Sequence, residues 1–251
     1  MRYGIFGDIH GNGEALRAFQ RELTLLGDLQ LVCLGDSVGY GSSPNECLDW
    51  LRHHQIPSVM GNHEYALHHP AWSMGFNPYA KAALAWQDAI ILQENRSFSS
   101  AFPFSIQIGS TCVVSHADFI DYPLFSYLVT GREAERGMRA LSVPIGFFGH
   151  THQAGYFILL PGQGSHGQTE WHPVTEEGLI LNLRQGNRYL INPGSIGQPR
   201  DRNPQGAFIL FDEELSQITF KRFVYDWQKE GRRIIQVGLP PFLAERLVEG
   251  I

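Results

Sequence analysis

The chain has 251 residues, 43% of them hydrophobic and 12% aromatic, enough apolar surface for a substantial core, which excludes wholesale disorder. Its net charge of −6 comes without a compensating basic run, so nucleic acid is a disfavoured partner, because sequence-blind binding needs clustered Lys and Arg to displace counterions. Cys33, Cys47 and Cys112 form neither a disulfide framework nor a zinc ribbon, no secretion signal follows Met1, and nothing approaches a membrane span, so a cytoplasmic chain without a membrane partner is expected.

Taken in order, Tyr3 to Phe6 reads as a short buried strand. Asn12 can cap the following helix, whose Leu16, Phe19, Leu23 and Leu26 recur at spacings of three and four, and that crossover leads to a second strand at Leu31 to Leu34. Ser43-Pro44-Asn45-Glu46 combines a capping box with proline at the first helical position and opens a helix through about Leu51. Pro57 to Met60 reads as a third strand, and Asn77-Pro78 begins a helix through about Gln93. Cys112 to Val114 and Ile145 to Phe148 are further strands, with Thr130 and Glu133 announcing a helix between them. From Gly155 the pattern is β-rich: Tyr156 to Leu160, Leu179 to Leu183, Arg188 to Ile191, Ala207 to Phe211 and Gln217 to Val224 suit strands, with Pro161 to Gly178 a surface loop. A helix from Pro241 to about Val248 ends the chain. The βαβ beginning and later hairpins imply two packed mixed sheets with outer helices, in one domain over residues 1–251.

The informative feature is how five apolar runs end. Phe6-Gly7-Asp8-Ile9-His10, Leu34-Gly35-Asp36, Met60-Gly61-Asn62-His63, Val114-Ser115-His116 and Phe148-Gly149-His150-Thr151-His152 each pass through a small residue to a metal-ligand type. Ligands of open α/β sheets bind beyond the carboxyl ends of strands, so the five endings can converge. Asp8 with His10, and His150 with His152, are two apart, which in extended backbone sends both side chains of a pair to the same side. Taken singly, a Gly-Asp or Asn-His reads as a turn or cap, and Ser115-His116 as a satisfied buried histidine. The ordered set is different: this many polar groups on one edge would be costly with nothing bound between them.

D-x-H, G-D, G-N-H, a later His and G-H-x-H, over Tyr3 to His152, resemble the calcineurin-like metallophosphoesterase superfamily. The run Ile191 to Arg200 is similar to a loop of its smaller bacterial and archaeal phosphodiesterase-like branch. The resemblance implies an α/β fold, a four-layer α-β-β-α sandwich of two mixed sheets flanked by helices. It assigns Asp8, His10 and His152 to one metal and Asn62, His116 and His150 to another, with Asp36 bridging. Mixed oxygen and imidazole donors suit two divalent ions such as Mn, Fe, Zn or Ni, which can generate an attacking hydroxide near neutrality. The resemblance also implies that His63 faces the cleft as proton donor to the departing oxygen; a structural hydrogen bond is the alternative.

Some positions depart from that pattern. Gly35-Asp36-Ser37-Val38-Gly39-Tyr40-Gly41 lacks the arginine that eukaryotic phosphoprotein phosphatases carry after this motif. Ala117 stands where glycine is usual, and Glu64 replaces an aspartate, which implies a looser partnership with His63. Tyr40 and Arg200 are candidate substrate contacts, although a loop arginine is usually only solvated and Asn192 to Ser195 can be a plain β-turn. His53, His54, His68, His69, His166 and His172 lack strand-end placement and read as solvent-facing. The expected substrate is a small phosphate ester, a phosphodiester or nucleotide-type phosphate. The alternatives are a phosphomonoester or phosphoprotein phosphatase, a scaffold of the same fold such as the retromer subunit, and a DNA nuclease.

Overall fold

Asn12 opens the first crossover: its side chain accepts from the Ala15 N–H at 2.9 Å, and α1 (Gly13–Leu26) carries the chain between the parallel strands β1 (Arg2–Phe6) and β2 (Gln30–Cys33). The computed structural model describes residues 1–162 and 169–251; His166 lies outside the described residues. The remaining strands are β3 (Ser105–Ile108), β4 (Cys112–Ser115), β5 (Ile145–Phe147), β6 (Ala154–Leu159), β7 (Trp171–Pro173), β8 (Ile180–Asn182), β9 (Arg188–Pro193), β10 (Gly206–Asp212) and β11 (Gln217–Phe223). The remaining helices are α2 (Pro44–His53), α3 (Asn62–His68), α4 (Pro78–Ile90), α5 (Gln93–Ser100), α6 (Gly131–Ala140), α7 (Trp227–Gln236) and α8 (Phe242–Glu249).

Two mixed sheets result, one ordered β2-β1-β10-β11-β8 and the other β3-β4-β5-β9-β6-β7. Successive strand residues point to opposite faces, and the sequence uses both. Ile5, Phe211 and Ile218 of the first sheet meet Val114, Phe147 and Ile191 of the second in the middle layer. Phe6 and Phe208 turn outward onto Phe19 and Trp50 of α1 and α2, while Leu190 and Phe157 turn outward onto Met138 of α6. The expected α-β-β-α sandwich of two mixed sheets is the observed one. Among the described residues no helix is long and apolar enough to cross a membrane.

Several elements differ from expectation. Pro57 to Met60 is no strand: it keeps a single parallel bridge, Ser58 to Cys33, because Pro57 has no N–H and Met60 N–H donates instead to Pro103 O at 2.7 Å. The helix expected through Gln93 breaks after Ile90, where Asn45 donates to Ile90 O and accepts from Leu92 N–H, both at 2.9 Å, so that α5 starts afresh at Gln93. Ser43 makes no side-chain cap, since Glu46 is drawn to Arg17, whereas the Thr130 and Glu133 capping box forms. Helices α3, α5 and α7 and strands β3 and β7 are additions, β7 lying inside the segment read as a loop.

The segment after β9 positions the site. Ile196 N–H donates to Gly7 O, and Gly197 N–H and Ser195 Oγ both donate to Asp8 O, pressing this loop against the end of β1. A Cβ on Gly197 would lie 1.8 Å from Ile9 O. Gly197→Ala is therefore expected to destabilise by roughly 1–3 kcal/mol in a denaturant melt. Gly75→Ala, where a Cβ meets nothing within 4 Å, should not shift the midpoint.

Candidate metal centre

Asp8, His10, Asp36 and His152 each offer a ligand atom, and these atoms lie within 4.8 Å of one another; Asp36, His116 and His150 form a second such group. Asp36 belongs to both. Its Oδ2 lies 3.3 Å from His116 Nε2 and 3.6 Å from His10 Nε2, and Asp8 Oδ1 lies 3.2 Å from His152 Nε2. Asn62 Oδ1 completes the second group at 3.0 Å from His116 Nε2. All seven side chains are buried.

Three of the histidines have their tautomer set by the backbone. His10 Nδ1 lies 2.9 Å from Val38 O, His116 Nδ1 2.7 Å from Leu34 O, and His152 Nδ1 2.6 Å from Gln198 O. A carbonyl oxygen can only accept, so each Nδ1 carries the hydrogen and, in the neutral ring, each Nε2 turns a lone pair to the centre. The consequence is visible between His10 and His152, whose Nε2 atoms stand 3.0 Å apart. Acceptors facing acceptors beside two carboxylates make an environment that a cation relieves, and the oxygen and nitrogen donors fit a borderline divalent metal.

The backbone corrects one expectation. Asp8, His10, Asp36, His150 and His152 all have φ between 52 and 65°, so the paired ligands stand in left-handed backbone and not in extended strand. Side chains two apart converge because each strand turns sharply at its ligand. Asn62 likewise follows no strand, being the first residue of α3.

Electrostatics follow the burial. Burial opposes the Asp36 charge, but His116 and His63 outweigh it and hold its carboxyl well below the usual range. Burial also opposes charge on His116, yet Asp36 outweighs it and brings that imidazole up to about 9. His10 and His150 are held well below 6.5, first by burial and then by neighbouring imidazoles.

His63 sits at the cleft rather than in the ligand cluster. Its N–H donates to Asp36 Oδ1 at 2.9 Å, its ring packs edge-on to His10, and its buried Nδ1 has no hydrogen-bond partner. Burial pulls its pKa down to about 4. Glu64 does not partner it: the Glu64 carboxylate accepts from the N–H groups of Asp36, Ser37, Val38 and Gly61, bracing the loop that carries Asp36. Tyr40 packs edge-on against His10, and Arg200, half-buried and not merely solvated, lies over the Tyr40 ring at 5.6 Å. Asn192 does more than turn the chain: its side-chain oxygen accepts from Gly194 N–H, and its amide donates to Gly149 O, before His150, and to Thr151 Oγ1, between His150 and His152. His53, His54, His68, His69 and His172 lie outside the cluster, and His68 is bonded to Ser99 at 3.0 Å.

Sequence reading missed two contributors. Asp118 accepts from the N–H groups of Ile120, Asp121 and Ser126, shaping the loop that brings Tyr127 to stack on His150 at 4.0 Å. An acidic residue two places after His116 was the available signal for Asp118; Tyr127 had none. Beside the cluster opens a cavity of about 620 Å³, walled by Tyr40, His63, Trp72, Phe76, Tyr127 and His150, and among the described residues no carboxylate, lysine or arginine lines it.

Comparison with known proteins accords with this geometry. An uncharacterized protein of Methanocaldococcus jannaschii is 34% identical over 249 residues, 98% of this chain and 97% of that one. The crystal structure of a metallophosphoesterase from Sphaerobacter thermophilus superposes with a TM-score of 0.84 at 31% identity, covering 100% of this chain and 99% of that one. A hypothetical protein from Pyrococcus horikoshii shares the fold, with a TM-score of 0.78 at 18% identity and coverage of 100% and 98%. The model of the calcineurin-like phosphoesterase superfamily domain matches residues 1–215, and the chain belongs to that superfamily of metal-dependent phosphoric ester hydrolases.

Proposed function

We propose that the chain binds two divalent cations, Mn, Fe, Zn or Ni, and hydrolyses phosphodiesters or nucleotide-type phosphates. The observation that carries the reading is the membership of Asp36 in both ligand groups. Asp8, His10 and His152 would hold one ion, Asn62, His116 and His150 the other, with the Asp36 carboxylate between. When bound, such a pair supplies Lewis-acid activation of water and neutralises charge on the phosphoryl oxygens.

The chain's own residues do the rest. Val38, Leu34 and Gln198 carbonyls keep His10, His116 and His152 turned inward, so the donor set is in place before any ligand arrives. His63 lines the cavity and faces the departing oxygen; the negative charge of a bound phosphate ester favours its imidazolium, which then delivers the proton there. Tyr40 and Arg200 contact the phosphate side of the substrate, the guanidinium offering a fork that matches phosphate oxygens. The neutral aromatic cavity has a volume in the range that takes a small organic ligand, and receives the ester's organic group.

Metal analysis of the purified chain is expected to give two ions per chain. Asp36→Ala should bring this to one or fewer and cut turnover of bis(p-nitrophenyl) phosphate by more than the roughly 10–100-fold that loss of an outer partner costs. Two ions bound with no turnover of any ester would instead favour a scaffold. His63→Ala should slow esters of poor leaving groups about 10²-fold or more, and p-nitrophenyl esters far less. Equal losses on both would remove the proton-donor role.

A further inference from the structure

Outside the ligand cluster, an unusual concentration of charge sits at the cleft rim. Arg200, from the loop after β9, and Arg246, from α8, both lie over the ring of Tyr40, their guanidinium carbons 5.6 and 5.8 Å from its centroid. They are close enough that the charge of Arg200, after burial, helps to push Arg246 down to about 10. Neither has an ion pair with an Asp or Glu side chain among the described residues. Arg200 donates Nη2 to Gln198 Oε1 and leaves a buried Nε without a partner, and Arg246 spends its Nε on the main-chain oxygen of Ile251. Two like charges held together and partly desolvated repel each other, and an anion that joins them relieves the repulsion.

Their placement is graded. Arg200 is tied to a ligand, its N–H donating to His152 O at 3.1 Å, whereas Arg246 stands on α8 over the Tyr40 ring. A line from the ligand cluster thus runs through Arg200 to Arg246. The second guanidinium is also no part of the shared domain pattern, which ends at residue 215.

We infer that Arg200 and Arg246 form a second anion subsite beside the metal centre, one that takes an additional phosphoryl group of the substrate. The preferred substrates then carry two phosphoryl groups, one at the centre and one at the rim, over esters with a single phosphate. The inference rests on the phosphoesterase reading for the identity of the first group. The arginine pair supplies the second, since guanidinium forks bind phosphate oxygens in pairs of charge-assisted hydrogen bonds.

Calorimetric titration of the metal-loaded protein with methylenebisphosphonate and with methylphosphonate tests this. The expected preference for the bisphosphonate is about tenfold or more, and Arg246→Gln should remove about tenfold of it, the scale of one hydrogen bond to a charged group. Arg246→Lys should retain part of the preference. Metal chelation by the bisphosphonate is common to all variants and cancels in the comparison. Arg232→Gln, an exposed site on α7, controls for net charge, and deletion of Ile251 for the lost main-chain contact; both should keep the preference. A wild-type protein without preference, an Arg246→Gln protein that keeps it, or an Ile251 deletion that mimics Arg246→Gln would each overturn the subsite. Hydrolysis of bis(p-nitrophenyl) phosphate, measured in parallel, reports on the underlying reading. Turnover without bisphosphonate preference sinks the subsite alone, and preference without turnover of any ester sinks the enzymatic reading alone.

Discussion

Everything at this site is arranged around the buried carboxylate of Asp36. Taking an ionised carboxylate out of water costs several kcal/mol unless it is paired and hydrogen-bonded, and here each oxygen is accounted for separately. Oδ1 accepts the N–H of His63, the residue after the ligand Asn62, and Oδ2 faces the imidazoles of His10 and His116. The Asp36 backbone is held in turn, its N–H by Glu64 and its carbonyl by the N–H of His10. A second buried carboxylate so close would repel the first. Glu64 is tolerated because four main-chain N–H groups converge on it, while burial and the Asp36 charge push it up to about 8. The β2 end, the α3 start and the β1 end are thereby tied to a single anion.

That anion's neighbours are held in conformations the chain would not choose. Left-handed backbone costs an ordinary residue roughly 1–2 kcal/mol, and five ligands adopt it. Glycine would remove the strain but also the ligand, so the cost is met by the surroundings. His10 donates its N–H to Asp36 O and accepts from Gly41 N–H, and Asp8 accepts two donors from the loop after β9 on its carbonyl. Glycines carry the crowding beside these turns: a Cβ on Gly61 would lie 2.1 Å from Asp36 Oδ1, and one on Gly39 2.2 Å from His63 Nδ1. Small residues in these motifs are required by close approach as much as by turn geometry.

This division explains what the sequence revealed. Ligands at strand ends were legible because each is announced locally, by an apolar run and then a small residue; two packed mixed sheets were implied by the βαβ beginning and the later hairpins, and their four-layer arrangement by the family resemblance. The conformation of the ligands was not legible, since the two-residue spacing of Asp8 and His10 suits extended and sharply turned backbone alike. Pro57 to Met60 misled because an apolar run bounded by proline looks the same whether or not its N–H groups find a sheet partner. Residues acting across long separations left no trace at all. Glu64 looked like a neighbour of His63 and instead serves the Asp36 loop, and Tyr127 and Arg246 reach the cleft only through the packing of distant elements.

The missing arginine of the second motif now has a physical setting. In the segment Asp36 to Gly41, Gly39 stands at φ 92° against the ring of His63, and Tyr40 turns its own ring toward His10 and His63. Positive charge reaches this corner from elsewhere in the chain. Arg200 arrives from the loop whose other end, at Ser195 and Gly197, is bonded to Asp8 O, and the Arg200 N–H donates to His152 O. Because the backbone that holds two ligands also holds the arginine, a shift of that loop would disturb the donor set and the cleft's charge together. The cation's position is thus coupled to the metal ligands by main-chain hydrogen bonds, a tighter constraint than a solvated side chain on a mobile loop would provide.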